Sequence, residues 1–360
     1  MTQTPHAESS SLERTVARSQ EINAELDKNP SDYRVLTGDR PTGHLHIGHY
    51  FGSLTNRVRL QNMGVDTIVL IADYQVITDR EGVGPIKERV YSLVADYLAA
   101  GIDPDKSMIF LHSAVPALNQ LMLPFLSLVT EAELKRNPTV KAELADSQMP
   151  MSGLMLTYPV HQAADILFCK ANLVPVGKDQ IPHIEMCRVI ARRFDERYGR
   201  AHGDQPVFPQ ADALLTSGTL ILGTDGTKMS KSKGNVIELR MTADETAKAL
   251  KKAVTDSDRT ITYDPVNRVE VSNLLDIAGL CLDRDPQSIA EEIGDGGAGQ
   301  LKALVTEALN EQLREHRDRR ETVMKDQGYL ESIIRAGNTR ANDIAEQTLT
   351  EVRTAMQMSY

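Results

Sequence analysis

The order of its apolar runs most constrains how this chain of 360 residues can fold. Runs typical of buried strands occur at 33–37, 67–72, 108–112, 172–176 and 220–222. Helical patterns lie between these runs, for example at 85–100 and, as a longer pattern, at 181–198. Strands that alternate with helices of this length are typical of βαβ units. The sequence therefore predicts an α/β fold built on a parallel sheet.

The length is more than twice the common domain size of about 150 residues, so two domains are expected. Residues 1–30 are polar and then helical, and we interpret them as an N-terminal extension that is partly ordered at best. The strand-like runs fill 31–241, apart from a helical insertion at about 116–168. From 242 to 360 the pattern is mostly helical.

Composition excludes several classes of protein. The net charge of −10 is not the footprint of a general nucleic-acid binder, so any RNA contact must be local. The three cysteines, Cys169, Cys187 and Cys281, form no CxxC pair, which argues for a reducing compartment and against structural zinc or an iron–sulfur cluster. The apolar stretches are far shorter than the roughly 20 residues of a membrane span. We expect a cytoplasmic protein with no membrane partner.

The first motif is His46-Ile47-Gly48-His49, just after a glycine/proline turn at 40–43. It falls where the first strand gives way to a helix, and a helix N-terminus offers unpaired N–H groups to phosphate. His46 and His49 are three residues apart, so both can donate to one phosphate chain. The alternatives are two surface histidines, or two metal ligands that lack a third. The strand–turn–helix context favours phosphate binding.

The second motif is Lys228-Met229-Ser230-Lys231-Ser232, flanked by glycines. Nucleotidyl transfer builds negative charge on the pyrophosphate leaving group, and lysines on a glycine-flanked loop can stabilise that charge. A loop that moves can engage the phosphates late and so favour the transition state. The alternative is a solvated Lys/Ser loop.

Together, in this order, the two motifs resemble the HIGH and KMSKS signatures of the class I aminoacyl-tRNA synthetases. The resemblance implies a catalytic domain with a Rossmann-type, doubly wound parallel sheet. It also implies ATP with Mg²⁺ as substrate, an aminoacyl-adenylate intermediate, and transfer of the amino acid to the terminal ribose of tRNA.

Further segments are similar to the tryptophanyl-tRNA synthetases, at 38–43, 157–159, 162–167, 175–180 and 253–258. This similarity implies L-tryptophan and tRNA(Trp) as substrates, a homodimer, and an anticodon-binding role for 242–360. The alternatives are a tyrosyl-tRNA synthetase, a nucleotidyltransferase for a small cofactor precursor, and a synthetase paralogue with a sensing or binding role.

The resemblance assigns roles to individual residues. Asp165 would accept a hydrogen bond from the indole N–H, while Tyr158 and Gln180 would hold the α-amino group. His46, His49, Lys228 and Lys231 would be the catalytic groups. The ATP site would consist of Arg40, Pro41, Thr42, Gly48, His49, Gly177, Lys178, Asp179 and the loop residues Lys228, Met229, Ser230, Lys231 and Ser232. Lys141 would be a further phosphate contact.

Two residues of the implied indole pocket depart from the familiar bacterial pattern. Gln75 and Gln162 stand where His and Met are usual, which predicts altered sensitivity to indole-based inhibitors. A cationic stretch at 314–325 alternates with acidic residues, and on sequence alone we interpret it as a solvated helix with internal ion pairs. Since Cys281 is the one cysteine after residue 241, no iron–sulfur cluster is expected there.

Overall fold

A parallel sheet forms the centre of the molecule. The computed structural model describes residues 5–78, 82–146, 150–199, 206–215, 220–230 and 233–360. In this part of the chain the strands are β1 (Arg34–Asp39), β2 (Asp66–Ile71), β3 (Ser107–Leu111), β4 (Leu173–Val176) and β5 (Asp212–Leu215). They pair in parallel in the order β3-β2-β1-β4-β5. This is the strand order of a Rossmann-type sheet, as the sequence predicts.

The predicted strands at 33–37, 67–72, 108–112 and 172–176 are confirmed to within two residues at each end. The prediction at 220–222 is wrong. There the backbone N–H of Leu222 donates to Oδ1 of Asn273 (2.8 Å), and Nδ2 of Asn273 donates to the Leu222 carbonyl (3.2 Å). The backbone of Leu222 therefore bonds to a side chain and not to a neighbouring strand. The fifth strand is β5, and it escaped prediction because its sequence, Asp-Ala-Leu-Leu, lacks the β-branched residues that mark the other strands.

Helices cover both faces of the sheet. Their bounds are α1 (Pro5–Leu26), α2 (Ile47–His49), α3 (Thr55–Met63), α4 (Ile86–Ala100), α5 (Pro116–Leu126), α6 (Glu131–Arg136), α7 (Pro138–Asp146), α8 (Gly153–Leu167), α9 (Ile181–Tyr198), α10 (Ala243–Lys251), α11 (Val269–Leu282), α12 (Pro286–Ile293), α13 (Gly297–Met324) and α14 (Gln327–Ala355). A π-helical segment, Tyr50–Leu54, joins α2 to α3. No helix in the described residues has the length and apolar character to cross a membrane.

Helix α1 is ordered and covers the edge of the sheet, in contrast to the expectation for the N-terminal extension. The Ser19 hydroxyl donates to the Ala213 carbonyl (3.1 Å) and accepts from the Leu215 N–H (3.0 Å). Ile22 and Leu26 are fully buried in an apolar cluster with strand residues. The helix thus satisfies two backbone groups on the open edge of β5 and covers an edge that would otherwise invite pairing with another chain.

The C-terminal helices share their core with the α/β part of the chain. Helix α13 packs against α4 and α11, and one apolar cluster contains Val94, Leu274 and Leu301. Helix α14 packs against β3 so closely that a Cβ at Gly337 would lie 1.7 Å from the Ile109 carbonyl oxygen. The helical segment that begins near residue 242 is therefore fixed directly against the sheet.

Candidate active site

A cleft of about 570 Å³ opens at the carboxyl ends of β1 and β4. These two strands are neighbours at the point where the strand order reverses, which is where open α/β sheets bind ligands. Helices α2 and α8 and the turn after β4 complete its walls. The fold therefore places the cleft where a nucleotide site is expected.

The cleft brings together many of the residues predicted from sequence. Those that line it are Arg40, His49, Gln75, Tyr158, Gln162, Asp165, Gly177, Asp179 and Gln180. Those that do not line it are His46, Pro41, Thr42, Gly48, Lys178, Lys141, Lys228, Met229 and Ser230. Lys231 and Ser232 lie outside the described residues.

The two histidines of the first motif are coupled to each other. His46 precedes α2 in an extended conformation, and its backbone N–H donates to Nδ1 of His49 (3.2 Å). The two ring centroids are 3.8 Å apart. Because Nδ1 of His49 accepts, a neutral ring carries its N–H donor on Nε2, and His49 lines the cleft. That donor suits a phosphate oxygen.

Asn235 organises the loop of the second motif, and sequence reasoning missed it. Its side chain is 3% exposed, and its Oδ1 accepts from the Ser230 N–H (2.8 Å). Its Nδ2 donates to Asp225 Oδ1 (2.7 Å) and to the Lys228 carbonyl (3.2 Å). Met229 anchors the loop in the apolar core, whereas the Lys228 side chain is exposed.

The two motifs are connected through backbone hydrogen bonds. The Ile47 N–H donates to the Ile237 carbonyl (3.0 Å), and the Leu239 N–H donates to the Leu45 carbonyl (2.9 Å). An antiparallel bridge between His46 and Glu238 lies at the centre of this contact. The segment after the lysine loop is therefore fixed to the start of the histidine motif.

A buried ion pair supports the cleft at the end of β1. The Asp39 carboxylate accepts from Arg57 (2.5 Å) and from the Tyr97 hydroxyl (2.6 Å), and the Arg57 side chain is 3% exposed. Burial alone would raise the pKa of Asp39, but the Arg57 charge and hydrogen bonds outweigh it and lower this pKa to about 2. Asp39 is therefore ionised at neutral pH.

At the other side of the cleft, Tyr158 lies beside two groups that the sequence did not single out. Its hydroxyl is 3.1 Å from Nε2 of His183, and Glu143 also lines the cleft. Burial, together with the negative charge of Glu143, raises the pKa of Tyr158, and burial lowers the pKa of His183 to about 4. Both groups are neutral at neutral pH, next to a carboxylate.

Gln75 lines the cleft and connects it to a chain of hydrogen bonds that continues behind it. Its amide nitrogen is 2.9 Å from Nδ1 of His161, and its amide oxygen accepts from the Thr78 hydroxyl (2.9 Å). Nε2 of His161 is 2.8 Å from Oδ1 of Asn119. With Gln75 donating to Nδ1, a neutral His161 donates from Nε2 to Asn119. Burial lowers the pKa of His161, which favours this neutral form.

Asp165 lies on α8, lines the cleft and is 3% exposed. Nδ1 of His112 lies 3.3 Å from its Oδ1. His112, His161 and Asp165 bring atoms that could ligate a metal within 4.8 Å of one another. Both ring nitrogens of each histidine, however, already have protein hydrogen-bond partners. This arrangement therefore favours a hydrogen-bonded network around the carboxylate.

The cationic stretch 314–325 is a solvated helix with internal ion pairs on one face, as interpreted from the sequence, but its other face is buried, where His316 is 3% exposed. Three exposed pairs join residues three or four apart, Arg314–Glu311, Arg319–Glu315 and Lys325–Glu321. Arg320 instead points inward and donates to the buried carboxylate of Asp96 (2.6 Å) and to Ser92 (2.8 Å). Arg320 therefore fixes α13 against α4 through the carboxylate of Asp96.

Comparison with known proteins gives consistent similarities. A sequence model described as "tRNA synthetases class I (W and Y)" matches residues 28–314. The chain is 41% identical over 338 residues to the tryptophan--tRNA ligase of Clostridium longisporum, covering 91% of this chain and 97% of that protein. It is 42% identical over 341 residues to that of Streptococcus pneumoniae, covering 91% and 98%.

A solved structure is similar over almost the same length. It is the tryptophanyl-tRNA synthetase from Campylobacter jejuni, complexed with ADP and tryptophan. The similarity has a TM-score of 0.78 at 32% identity, and it covers 90% of this chain and 99% of that one.

Proposed function

Because the chain belongs to the class I tRNA synthetases of the W and Y type, we propose that it activates L-tryptophan with ATP and transfers it to the 3′-terminal adenosine of tRNA(Trp). One observation carries the proposal at the level of the site: a single cleft contains a buried carboxylate, Asp165, and the histidine motif through His49. The first group suits a ring N–H, and the second suits phosphate.

In the activation step, a carboxylate oxygen of tryptophan attacks the α-phosphorus of ATP. The new P–O bond forms the adenylate, and the bond to pyrophosphate breaks. His49 Nε2–H and the Arg40 guanidinium, which line the cleft, bind phosphate oxygens. Lys228 and Lys231 stabilise the charge that builds on pyrophosphate. Mg²⁺ enters with ATP as part of this substrate.

Tryptophan binds with its indole N–H on Asp165 and its ammonium group near Tyr158. A Tyr158 hydroxyl that stays protonated still offers an oxygen lone pair to the ammonium. Glu143 adds a negative charge at the same position, and Gln180 lines the cleft beside it. We therefore add Glu143 to the amino-acid site.

Transfer follows when the terminal ribose hydroxyl of tRNA attacks the adenylate carbonyl and AMP leaves. We propose that 242–360 bind the anticodon arm. Because the exposed cations Arg314, Arg319 and Lys325 are ion-paired, RNA contact there requires that pairs such as Arg319–Glu315 open. We also propose that the enzyme is a homodimer and acts in the cytoplasm, where tRNA is charged.

ATP–pyrophosphate exchange with each of the twenty amino acids tests the activation step. We expect exchange that depends on tryptophan and falls by about 100-fold or more in Lys228→Ala. Lys233→Ala is the matched control, since Lys233 is an exposed lysine of the same loop whose Nζ donates to Thr227 (3.2 Å). Exchange with tyrosine would preserve the class and overturn the substrate. No exchange with any amino acid would favour a paralogue with a binding role.

A further inference from the structure

His112 is a buried histidine at the end of β3, and no sequence motif pointed to it. Its side chain is 0% exposed, and it begins the short 3₁₀ turn His112–Ala114 that follows the strand. One ring nitrogen, Nδ1, lies 3.3 Å from Oδ1 of Asp165. The other, Nε2, accepts the backbone N–H of Tyr74 at 2.7 Å. The ring therefore bridges the turn after β2 and the carboxylate on α8.

These contacts determine which nitrogen carries the proton. Nε2 must be unprotonated, because the Tyr74 N–H points at it from 2.7 Å. A neutral ring then has its proton on Nδ1 and donates to Asp165. Asp73 Oδ1 also lies 3.4 Å from Nε2, but it already accepts from the Ser113 N–H (3.1 Å).

Two aromatic rings pack against the His112 ring. The His161 ring stacks on it, with centroids 4.7 Å apart, and the Tyr74 ring lies 5.5 Å away. His161 is in turn held by Gln75 and Asn119, at 2.9 and 2.8 Å. His112 therefore has little freedom to rotate, and the donor that it presents to Asp165 has a fixed direction.

The Asp165 carboxylate depends on this donor. Within the described part of the chain, the hydrogen bond from His112 is the side-chain contact to this carboxylate, and it engages Oδ1. Oδ2 is left for a group that enters the cleft, which Asp165 lines. When one oxygen of a carboxylate is held by a hydrogen bond, the other oxygen points in a defined direction. Supporting hydrogen bonds of this kind fix the geometry of the groups that contact a ligand.

We propose that His112 is a positioning residue that sets the orientation of Asp165 and thereby the selection for a substrate ring that carries an N–H group. The inference rests on the proposed function, because Asp165 must contact the indole. His112 itself touches the carboxylate and not the substrate. Its loss should therefore weaken recognition of the N–H group while leaving ATP binding unchanged.

Two substitutions separate the roles of the two ring nitrogens. In His112→Asn the amide nitrogen can replace Nδ1 and keep the donor to Asp165, but nothing accepts the Tyr74 N–H. In His112→Gln the amide oxygen can replace Nε2 and keep that acceptor, but the donor to Asp165 is lost. His112→Leu removes both. Thermal melting of each variant shows which of them fold.

The readout is the selectivity of ATP–pyrophosphate exchange for tryptophan over β-(3-benzothienyl)alanine, an isostere with sulfur in place of the N–H. A site built around a hydrogen bond rejects an analogue that lacks the donor by up to about 10⁴-fold. We expect selectivity to fall by about tenfold or more in His112→Gln and His112→Leu, with a raised KM for tryptophan and an unchanged KM for ATP. His112→Asn should stay within about threefold of the unmodified enzyme.

The outcomes distinguish this inference from the function on which it rests. If the unmodified protein shows no exchange with tryptophan, the proposed function fails. If it does, and the folded Gln and Leu variants keep its selectivity, His112 does not position Asp165. Loss of selectivity in the Asn variant with retention in the Gln variant would equally overturn the proposal, because the acceptor and not the donor would then matter.

Discussion

Replacing Asp39 by asparagine isolates the electrostatic contribution of the buried pair beneath the cleft. In the unmodified protein, Arg57 and the Tyr97 hydroxyl donate to the Asp39 carboxylate at 2.5 and 2.6 Å. The amide oxygen of the asparagine can still accept both hydrogen bonds. The substitution therefore removes the negative charge and keeps most of the packing. What it measures is the stabilisation that comes from ionised Asp39.

The size of the effect follows from the pKa of Asp39. Folding lowers it from 3.8 to about 2, because Arg57 outweighs the cost of burial. At about 1.4 kcal/mol for each pH unit, ionised Asp39 contributes about 2 kcal/mol to the free energy of unfolding at neutral pH. Asp39→Ala should cost more, about 3–5 kcal/mol, because it also removes the oxygen that accepts from Arg57 and Tyr97 and leaves the buried guanidinium without any partner there.

The sign of the pH dependence is also determined. Since the folded pKa lies below the unfolded one, the stabilisation is present above pH 3.8 and is lost as the pH falls towards about 2. Urea unfolding followed by circular dichroism should therefore give a constant difference between the unmodified protein and Asp39→Asn from about pH 8 to 5, which shrinks below pH 4. A difference under about 0.5 kcal/mol at pH 7, or one that changes between pH 5 and 8, would refute the reasoning.

Three further predictions concern other parts of the molecule. Gly337→Ala should destabilise the protein by more than about 3 kcal/mol in urea unfolding, because the new Cβ would meet the backbone of β3. The control Gly299→Ala, whose Cβ would lie in open space on α13, should not destabilise it. Asn235→Ala should lower kcat of exchange by about tenfold with KM for tryptophan unchanged, because the loop loses its hydrogen bonds to the Ser230 N–H and the Lys228 carbonyl. A change in KM alone would contradict this prediction. Gln75→His combined with Gln162→Met should change the inhibition constant of an indole-based inhibitor by about tenfold, and equal inhibition would count against the altered pocket.

The sheet could be predicted because its central strands are continuous apolar runs. Strand β2, for example, is buried at every position except Asp66, so its sequence carries a strong signal. Strand β5 carries little signal, because its sequence, Asp-Ala-Leu-Leu, has no β-branched residue and its edge is closed by the Ser19 hydroxyl from a distant helix. The order of the N-terminal helix α1 was underestimated because the strand that it packs against, β5, lies far away in the sequence.

Part of the cleft lining could be predicted from the sequence, whereas residues that act through tertiary contacts could not. His49, Asp165 and Gln180 line the cleft as the resemblance implies. His112 and Asn235 became visible only through their hydrogen bonds, because a lone histidine after a strand and an asparagine after a lysine loop have no diagnostic spacing. A buried polar residue needs a partner, but the sequence does not say which one.

Aminoacylation tests the central claim most directly. The purified protein would be incubated with ATP, total bacterial tRNA and each of two labelled amino acids, tryptophan and tyrosine, and the charged tRNA would be separated on an acid gel. We predict that tryptophan is attached to a single tRNA species, and that Asp165→Asn strongly reduces this charging. Charging with tyrosine, or no charging with tryptophan by a protein that is folded, would contradict the account.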